Sequence, residues 1–83
     1  MIPIHELLNK IKWDKRESPE LITVKYLDRV NDKLIGIPYT NIERIEKTGG
    51  IRFMVLIRDD EVFIPLHRIR EVLKNNTIIW KRQ

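Results

Sequence analysis

A chain of 83 residues makes one small domain, 1–83, and a domain of this size buries only about 60% of the surface that its unfolded chain exposes. With no cysteine, neither disulfides nor a thiolate zinc site can brace it; with 42% apolar residues, among them 14 Ile, 5 Val and no Ala, it is neither a disordered tail nor a helical bundle but a β-rich chain. The net charge of +4 is unevenly placed: residues 1–61 carry 11 basic and 11 acidic side chains, whereas residues 62–83 hold Arg68, Arg70, Lys74, Lys81 and Arg82 against Glu71 alone.

Ile2-Pro3-Ile4-His5 opens a short amphipathic helix. Pro3 suits the first helical position, where a missing N–H costs nothing. Ile4, Leu7, Leu8 and Ile11 recur at i, i+3, i+4 and i+7 and form one apolar stripe. Glu6 and Lys10 pair at i, i+4, and Lys10 and Lys12 sit where the helix dipole favours cations. Trp13-Asp14 ends the helix, and residues 14–20 (DKRESPE) form a surface loop. Residues 21–30 read as a strand, with Ile22, Val24, Tyr26, Asp28 and Val30 on one face. Asn31-Asp32-Lys33 turns it into a hairpin partner at 34–37. Residues 51–58 form the clearest strand, with Ile51, Phe53, Val55 and Ile57 on one face, and Asp59-Asp60 turns into a further strand at 61–64. Asn75-Asn76 is a turn, since Asn tolerates φ > 0, and it leads into a last strand at 77–81.

An internal echo joins these pieces. Ile37-Pro38-Tyr39-Thr40-Asn41-Ile42-Glu43-Arg44-Ile45 resembles Ile64-Pro65-Leu66-His67-Arg68-Ile69-Arg70-Glu71-Val72, each with apolar residues five and eight places after the first Ile. Each copy reads as a strand, one tight helical turn started by Pro, and another strand; a full helix over residues 66–74 is the competing reading. The expected fold is α+β, an N-terminal helix packed on a curved antiparallel sheet of five or six strands, with closure into a small barrel as a variant. The turns at Asn31-Asp32, Thr48-Gly49-Gly50, Asp59-Asp60 and Asn75-Asn76 leave no room for parallel crossovers.

His67-Arg68 is the leading local candidate for chemistry. Arg68 can grip two phosphate oxygens with its planar fork, His67 can donate from a ring nitrogen, and a turn begun by Pro65 presents backbone N–H groups of the kind that bind phosphate. Arg70 and Lys74 add positive field. Asp28 interrupts an apolar strand face: it either orients Arg29, Arg68 or His67, or caps the turn ahead of Asn31-Asp32. Trp13 and Trp80 either stack on exposed bases or belong to the core, and Tyr39 is the ring expected at the surface. Asp14 either caps the helix end or pairs with a basic residue.

Catalysis has little support. His5 and His67 both close an Ile-Pro-x-His motif, which suggests an acid–base pair for a cyclic phosphoesterase. Two-histidine phosphoesterases carry His-x-Ser/Thr, whereas Leu7 and Ile69 stand at those positions here. Gly49-Gly50 is a turn, no glycine-rich phosphate loop exists, and two histidines without an acidic cluster give no metal-ligand spacing, so no cofactor or metal is expected. The short apolar runs fall far below the ~20 residues of a membrane span, and Glu6, Lys10 and Lys12 break any export signal; the expected location is the cytoplasm.

The ordered set Ile2-Pro3-Ile4-His5, Ile11-Lys12-Trp13-Asp14, Tyr26-Leu27-Asp28-Arg29, Ile64-Pro65-Leu66-His67-Arg68-Ile69 and Ile79-Trp80-Lys81-Arg82 extends over almost the whole chain. It resembles a family of small, largely uncharacterised archaeal proteins described as the RNA cyclic group end recognition domain, which in eukaryotes is fused to RNA-processing modules. The resemblance implies binding of RNA ends that carry a cyclic phosphate, with an RNA-processing protein as a further partner. The expected function is therefore a non-catalytic RNA-binding module for phosphate-bearing ends. A protein–protein adaptor, its charge serving only solubility, is the alternative from another class.

Overall fold

Helix α1 spans Ile4–Trp13 and buries Ile4, Leu7, Leu8 and Ile11, the stripe that the spacing predicts. In the computed structural model, which describes residues 2–48, 52–57 and 62–82, seven strands follow: β1 (Ile22–Asp28), β2 (Lys33–Pro38), β3 (Ile42–Thr48), β4 (Arg52–Ile57), β5 (Val62–Pro65), β6 (Ile69–Lys74) and β7 (Thr77–Lys81). They divide into a four-stranded sheet of order β2-β1-β6-β7 and a three-stranded sheet of order β3-β4-β5, and every pairing is antiparallel. The fold is α+β, but neither the single sheet of five or six strands nor the barrel forms.

The echoed Ile-Pro segments explain the division. After β2, Tyr39–Asn41 makes one 3-10 turn and the chain enters β3 of the other sheet; after β5, Leu66–Arg68 makes another and the chain returns to β6. The two turns have nearly the same backbone, with φ −63 and ψ 140 at Pro38 and φ −59 and ψ 138 at Pro65. Each closes with the same bond, Ile42 N–H to the Tyr39 carbonyl and Ile69 N–H to the Leu66 carbonyl. Proline fixes φ and withholds a ladder donor, so it ends a strand and starts a turn in one residue. Strand β6 occupies 69–74, which settles those residues as turn plus strand and not as helix.

Both sheets and the helix feed one core. Ile22, Val24, Ile69, Val72 and Trp80 come from the four-stranded sheet, Ile42 and Ile64 from the three-stranded one, and Leu66 from the second turn. Two side-chain bonds fasten the helix across this core: the Trp80 indole N–H donates to the Ile2 carbonyl at 2.9 Å and the Tyr39 hydroxyl to the Leu8 carbonyl at 3.0 Å.

Several local expectations change. Pro3 stands just before the helix as its cap residue, its carbonyl accepting from Glu6 and Leu7. Residues 14–20 are not plain loop, because 3-10 turns form at Lys15–Glu17 and Pro19–Leu21. The first of these brings Glu17 to Lys10 at 3.7 Å, so Lys10 pairs there and not with Glu6. Strand β1 starts one residue late, after the second turn, and stops at Asp28; Val30 therefore falls off the apolar face and is 92% exposed. The Asn31-Asp32 and Asn75-Asn76 hairpin turns form as expected, with positive φ at Asp32, Asn75 and Asn76. The strand expected at 51–58 forms as β4, Arg52–Ile57, whereas the turns expected at Thr48-Gly49-Gly50 and Asp59-Asp60 fall on residues outside those described.

Leu8 has no solvent exposure and lies where the helix meets the sheet. Leu8→Ala should cost roughly 2–5 kcal/mol through lost burial and the cavity left behind, whereas the exposed Leu34→Ala should cost less than about 0.5 kcal/mol. Urea melts of both variants check this.

Candidate nucleic-acid interface

The site follows from strand register. Strands β1 and β6 run antiparallel with Tyr26 opposite Ile69, and β6 and β7 run antiparallel with Glu71 opposite Lys81. The last residues of β1, the Leu66–Arg68 turn, the first residues of β6 and the last of β7 therefore share one end of the four-stranded sheet. Asp28 opposite Lys33 adds the start of β2. This end gathers Arg29, Arg68, Arg70 and His67, which the sequence singles out, together with Lys33, Lys81 and Arg82. Asp28, Asp32 and Glu71 are the acidic residues of the same strand ends. Among the described residues, none of these arginines and lysines forms an ion pair; the ion pairs that do form, Lys10–Glu17 and Arg16–Asp14, lie elsewhere.

A bulge sets Arg70 apart. Consecutive Lys25 and Tyr26 oppose Glu71 and Ile69, so Arg70 is the extra residue on β6. Bulges re-aim side chains, and this one lets Ile69 and Val72 both face the core although they are three residues apart. The Arg70 carbonyl accepts from the Arg82 N–H at 2.8 Å.

His67 is exposed and hydrogen-bonded or otherwise engaged, whereas Arg68 is half-buried. The Arg68 Nε–H is buried and finds no acceptor among the described residues. A buried donor left unmet costs roughly 1–3 kcal/mol, more when the group is charged. Arg82 behaves in the opposite way: its Nε–H donates to the Ile69 carbonyl at 2.9 Å, its Nη2 to the Leu66 carbonyl at 3.1 Å, and its guanidinium lies 5.1 Å from the Trp80 ring centroid.

The remaining expected residues separate from this end. Lys74 lies opposite Ile22 and Thr77 at the other end of the sheet, four residues or roughly 13 Å from Arg70 along β6, so it does not reinforce the Arg68 turn. Asp28 is half-buried and caps its own turn, accepting from Val30 N–H at 3.0 Å and from the Asn31 amide at 2.8 Å; among the described residues it holds neither Arg29 nor Arg68. The Asn31 amide first and the Val30 N–H second hold its carboxyl below the ordinary aspartate range. Asp14 pairs with Arg16 through both carboxylate oxygens, at 3.1 and 3.2 Å, and its carboxyl is likewise lowered, chiefly by that side-chain bond. Tyr39, expected at the surface, instead packs on the core with its hydroxyl bound to the helix, and burial pushes its phenol upward. Trp80 is a core residue, 6% exposed, with its indole N–H satisfied and a ring face under Arg82, which leaves it unsuited to stacking on a base. Trp13 is the exposed ring, 78% accessible, with the Lys12 ammonium 5.3 Å from its centroid. Helix α1 is tied to Trp80 just before its first turn and, at Leu8, to Tyr39, which follows Pro38 at the sheet end opposite the Arg68 turn; Trp13 stands five residues beyond Leu8 along the helix.

Lys33, Lys81 and Arg82 were not singled out as site residues. Part of the signal for the last two was present: counting along a two-residue Asn75-Asn76 turn places 80 and 81 opposite 71 and 70, and a bulge at Ile79 shifts the register by one, so that Lys81 lies opposite Glu71. Among the described residues, no group of three or more His, Asp and Glu side chains can hold a metal ion, and no helix is long and apolar enough to cross a membrane.

The sequence model of the family described as "MJ1316 RNA cyclic group end recognition domain" matches residues 1–82. Among curated relatives, a UPF0248 protein of Metallosphaera sedula is 34% identical over 79 residues, covering 95% of this chain and 91% of that protein. A UPF0248 protein of Methanococcus maripaludis is 37% identical over 84 residues, covering 96% and 99%. A third, from Saccharolobus islandicus, is 26% identical over 82 residues, covering 95% and 98%. No solved structure matches the chain.

Because its folded pKa is depressed, Asp28 contributes stability that is present above the unfolded value of about 3.9 and is lost as pH falls through the folded value. Acid melts followed by carboxyl NMR should show Asp28 titrating below ordinary aspartates, and Asp28→Asn should flatten that part of the stability–pH curve.

Proposed function

We propose, for a chain that belongs to the family of the MJ1316 RNA cyclic group end recognition domain, that it is a non-catalytic module which binds phosphate-bearing RNA ends at the basic end of its four-stranded sheet. The observation that carries this reading is the buried Arg68 Nε–H, unmet among the described residues, at a sheet end whose cations have no ionic partners among those residues. A guanidinium edge offers two parallel N–H donors to a phosphate, and a phosphate oxygen would supply the acceptor that the described residues do not. Arg29 and Arg70 stand on neighbouring strand ends, and Lys33 and Lys81 add a field that steers a polyanion toward them. His67, exposed beside Arg68, can donate to the same group. A 2′,3′-cyclic phosphate is the end chemistry that the family description suggests: it carries one negative charge and two free oxygens, which suit one arginine fork.

Trp13 supplies a second element. An exposed indole with a lysine beside it is a stacking surface for an unpaired base, and its distance from the Arg68 turn assigns it to nucleotides away from the end. A protein partner is the second reading. It is favoured by Ile78 and Ile79, 48% and 42% exposed on β7, an edge strand whose outer side pairs with no other described strand.

Binding should weaken with salt. With about three to five phosphate contacts, the log–log slope for a single strand should be roughly −2 to −3.5, measured by fluorescence anisotropy across a salt series. A salt-independent affinity would favour the apolar partner. Arg68→Lys keeps the charge but loses the fork, so affinity for a cyclic-phosphate end should drop roughly tenfold or more, while that for a hydroxyl end should change little. Lys81→Ala should weaken both alike. Equal losses for both ends in Arg68→Lys, or none, would place the end-binding group elsewhere.

A further inference from the structure

Arg82 touches the Leu66–Arg68 turn from behind, at the two carbonyls that bracket His67 and Arg68. Its Nη2 reaches the Leu66 carbonyl at 3.1 Å and its Nε the Ile69 carbonyl at 2.9 Å, while its own backbone N–H holds the Arg70 carbonyl at 2.8 Å. The Leu66 carbonyl already accepts the bond that closes the 3-10 turn, so Arg82 fills its second lone pair. Behind the guanidinium lies the Trp80 ring, itself fixed by burial and by its bond to the Ile2 carbonyl. The path from Ile2 through Trp80 and Arg82 to the turn is therefore continuous, made of hydrogen bonds at both ends and a cation–ring contact between Trp80 and Arg82.

From these contacts we infer that Arg82 is a positioning residue: it locks the backbone on either side of His67-Arg68 so that the Arg68 fork is held in the orientation an anion requires. The inference rests on the reading that this turn binds the RNA end. A three-residue 3-10 turn is short and its hydrogen-bond geometry is poor, so it does not hold its shape by itself. Planarity is what the role needs. Two carbonyls three positions apart lie within reach of the two donors on one edge of the guanidinium, and a lysine ammonium at the same place can satisfy only one of them in that geometry. The lock acts on orientation and not on charge, because the donors that Arg82 spends on the carbonyls cannot also contact a phosphate.

The test compares Arg82→Lys with Arg68→Lys and Arg68→Ala, using one oligonucleotide ended by a cyclic phosphate or by a hydroxyl, well below the melting temperature of each variant. Arg82→Lys should lower the affinity ratio between the two ends by at least half as much, on a logarithmic scale, as Arg68→Lys does. Its salt slope should equal that of the parent chain, whereas Arg68→Ala should lose about 0.7 of the slope, one phosphate contact. A residue that merely stabilises the fold would lower the melting temperature and leave the ratio untouched, and that result overturns the inference while sparing the binding site. A fall of about 0.7 in the slope of Arg82→Lys would make Arg82 a phosphate contact and overturn it as well. If Arg68→Lys leaves the ratio unchanged, the binding reading fails and the positioning role falls with it. Should Arg82→Lys not fold, NMR of the parent chain decides: on titration with the cyclic-phosphate oligonucleotide the Arg68 Nε–H should shift and the Arg82 Nε–H should not, and equal shifts would overturn the role.

Discussion

Two prolines, each following an isoleucine at the end of a strand, hold this molecule's architecture. Pro38 and Pro65 stop their ladders because they bring no N–H, and their fixed φ sends the chain into a single 3-10 turn that closes on the next isoleucine. One turn carries the chain out of the four-stranded sheet and the other returns it. Ile42 and Ile69, the residues that close the turns, are both buried, so each change of direction is also an anchor in the core. A small domain without disulfides has few such anchors, and the helix, both sheets and the basic end all depend on these two.

Charge at the basic end is a consequence of pairing. Arg29 and Arg68 are 39 positions apart in the chain, yet β1 and β6 pair so that their ends meet. The tight hairpin after Asn75-Asn76 then turns the last basic residues back beside the first residues of β6. The arginines gathered there divide the work by environment. Arg82 spends two donors on backbone carbonyls and its face on Trp80, becoming part of the scaffold, whereas Arg68 keeps a buried donor without an acceptor among the described residues. Natural folds satisfy nearly all buried donors, and the Arg68 Nε–H is an exception among the described residues.

The fate of the aromatic residues follows the same rule. Trp80 and Tyr39 carry polar atoms that reach the Ile2 carbonyl just ahead of the helix and the Leu8 carbonyl within it, and each is drawn inward as a fastener of the N-terminal segment. Trp13 follows the apolar stripe by two residues, which on a helix rotates it well away from Ile11 and toward solvent, leaving its ring to Lys12. A count of aromatic residues could not distinguish these three. Their neighbours in space did.

Local physics was legible in the chain itself. Helical spacing marked Ile4, Leu7, Leu8 and Ile11; the repeated Ile-Pro marked both turns; alternation marked Ile22 and Val24; and antiparallel order followed from turns too short for crossovers. Each of these depends on a few adjacent residues, and adjacent residues are what a sequence displays. The division into two sheets, the bulge that frees Arg70, the separation of Lys74 from the Arg68 turn and the clamp made by Arg82 were decided by the tertiary structure alone. They depend on which strands pair and in what register, and a shift of one residue in register reverses every side chain along a strand, so no local pattern contains them.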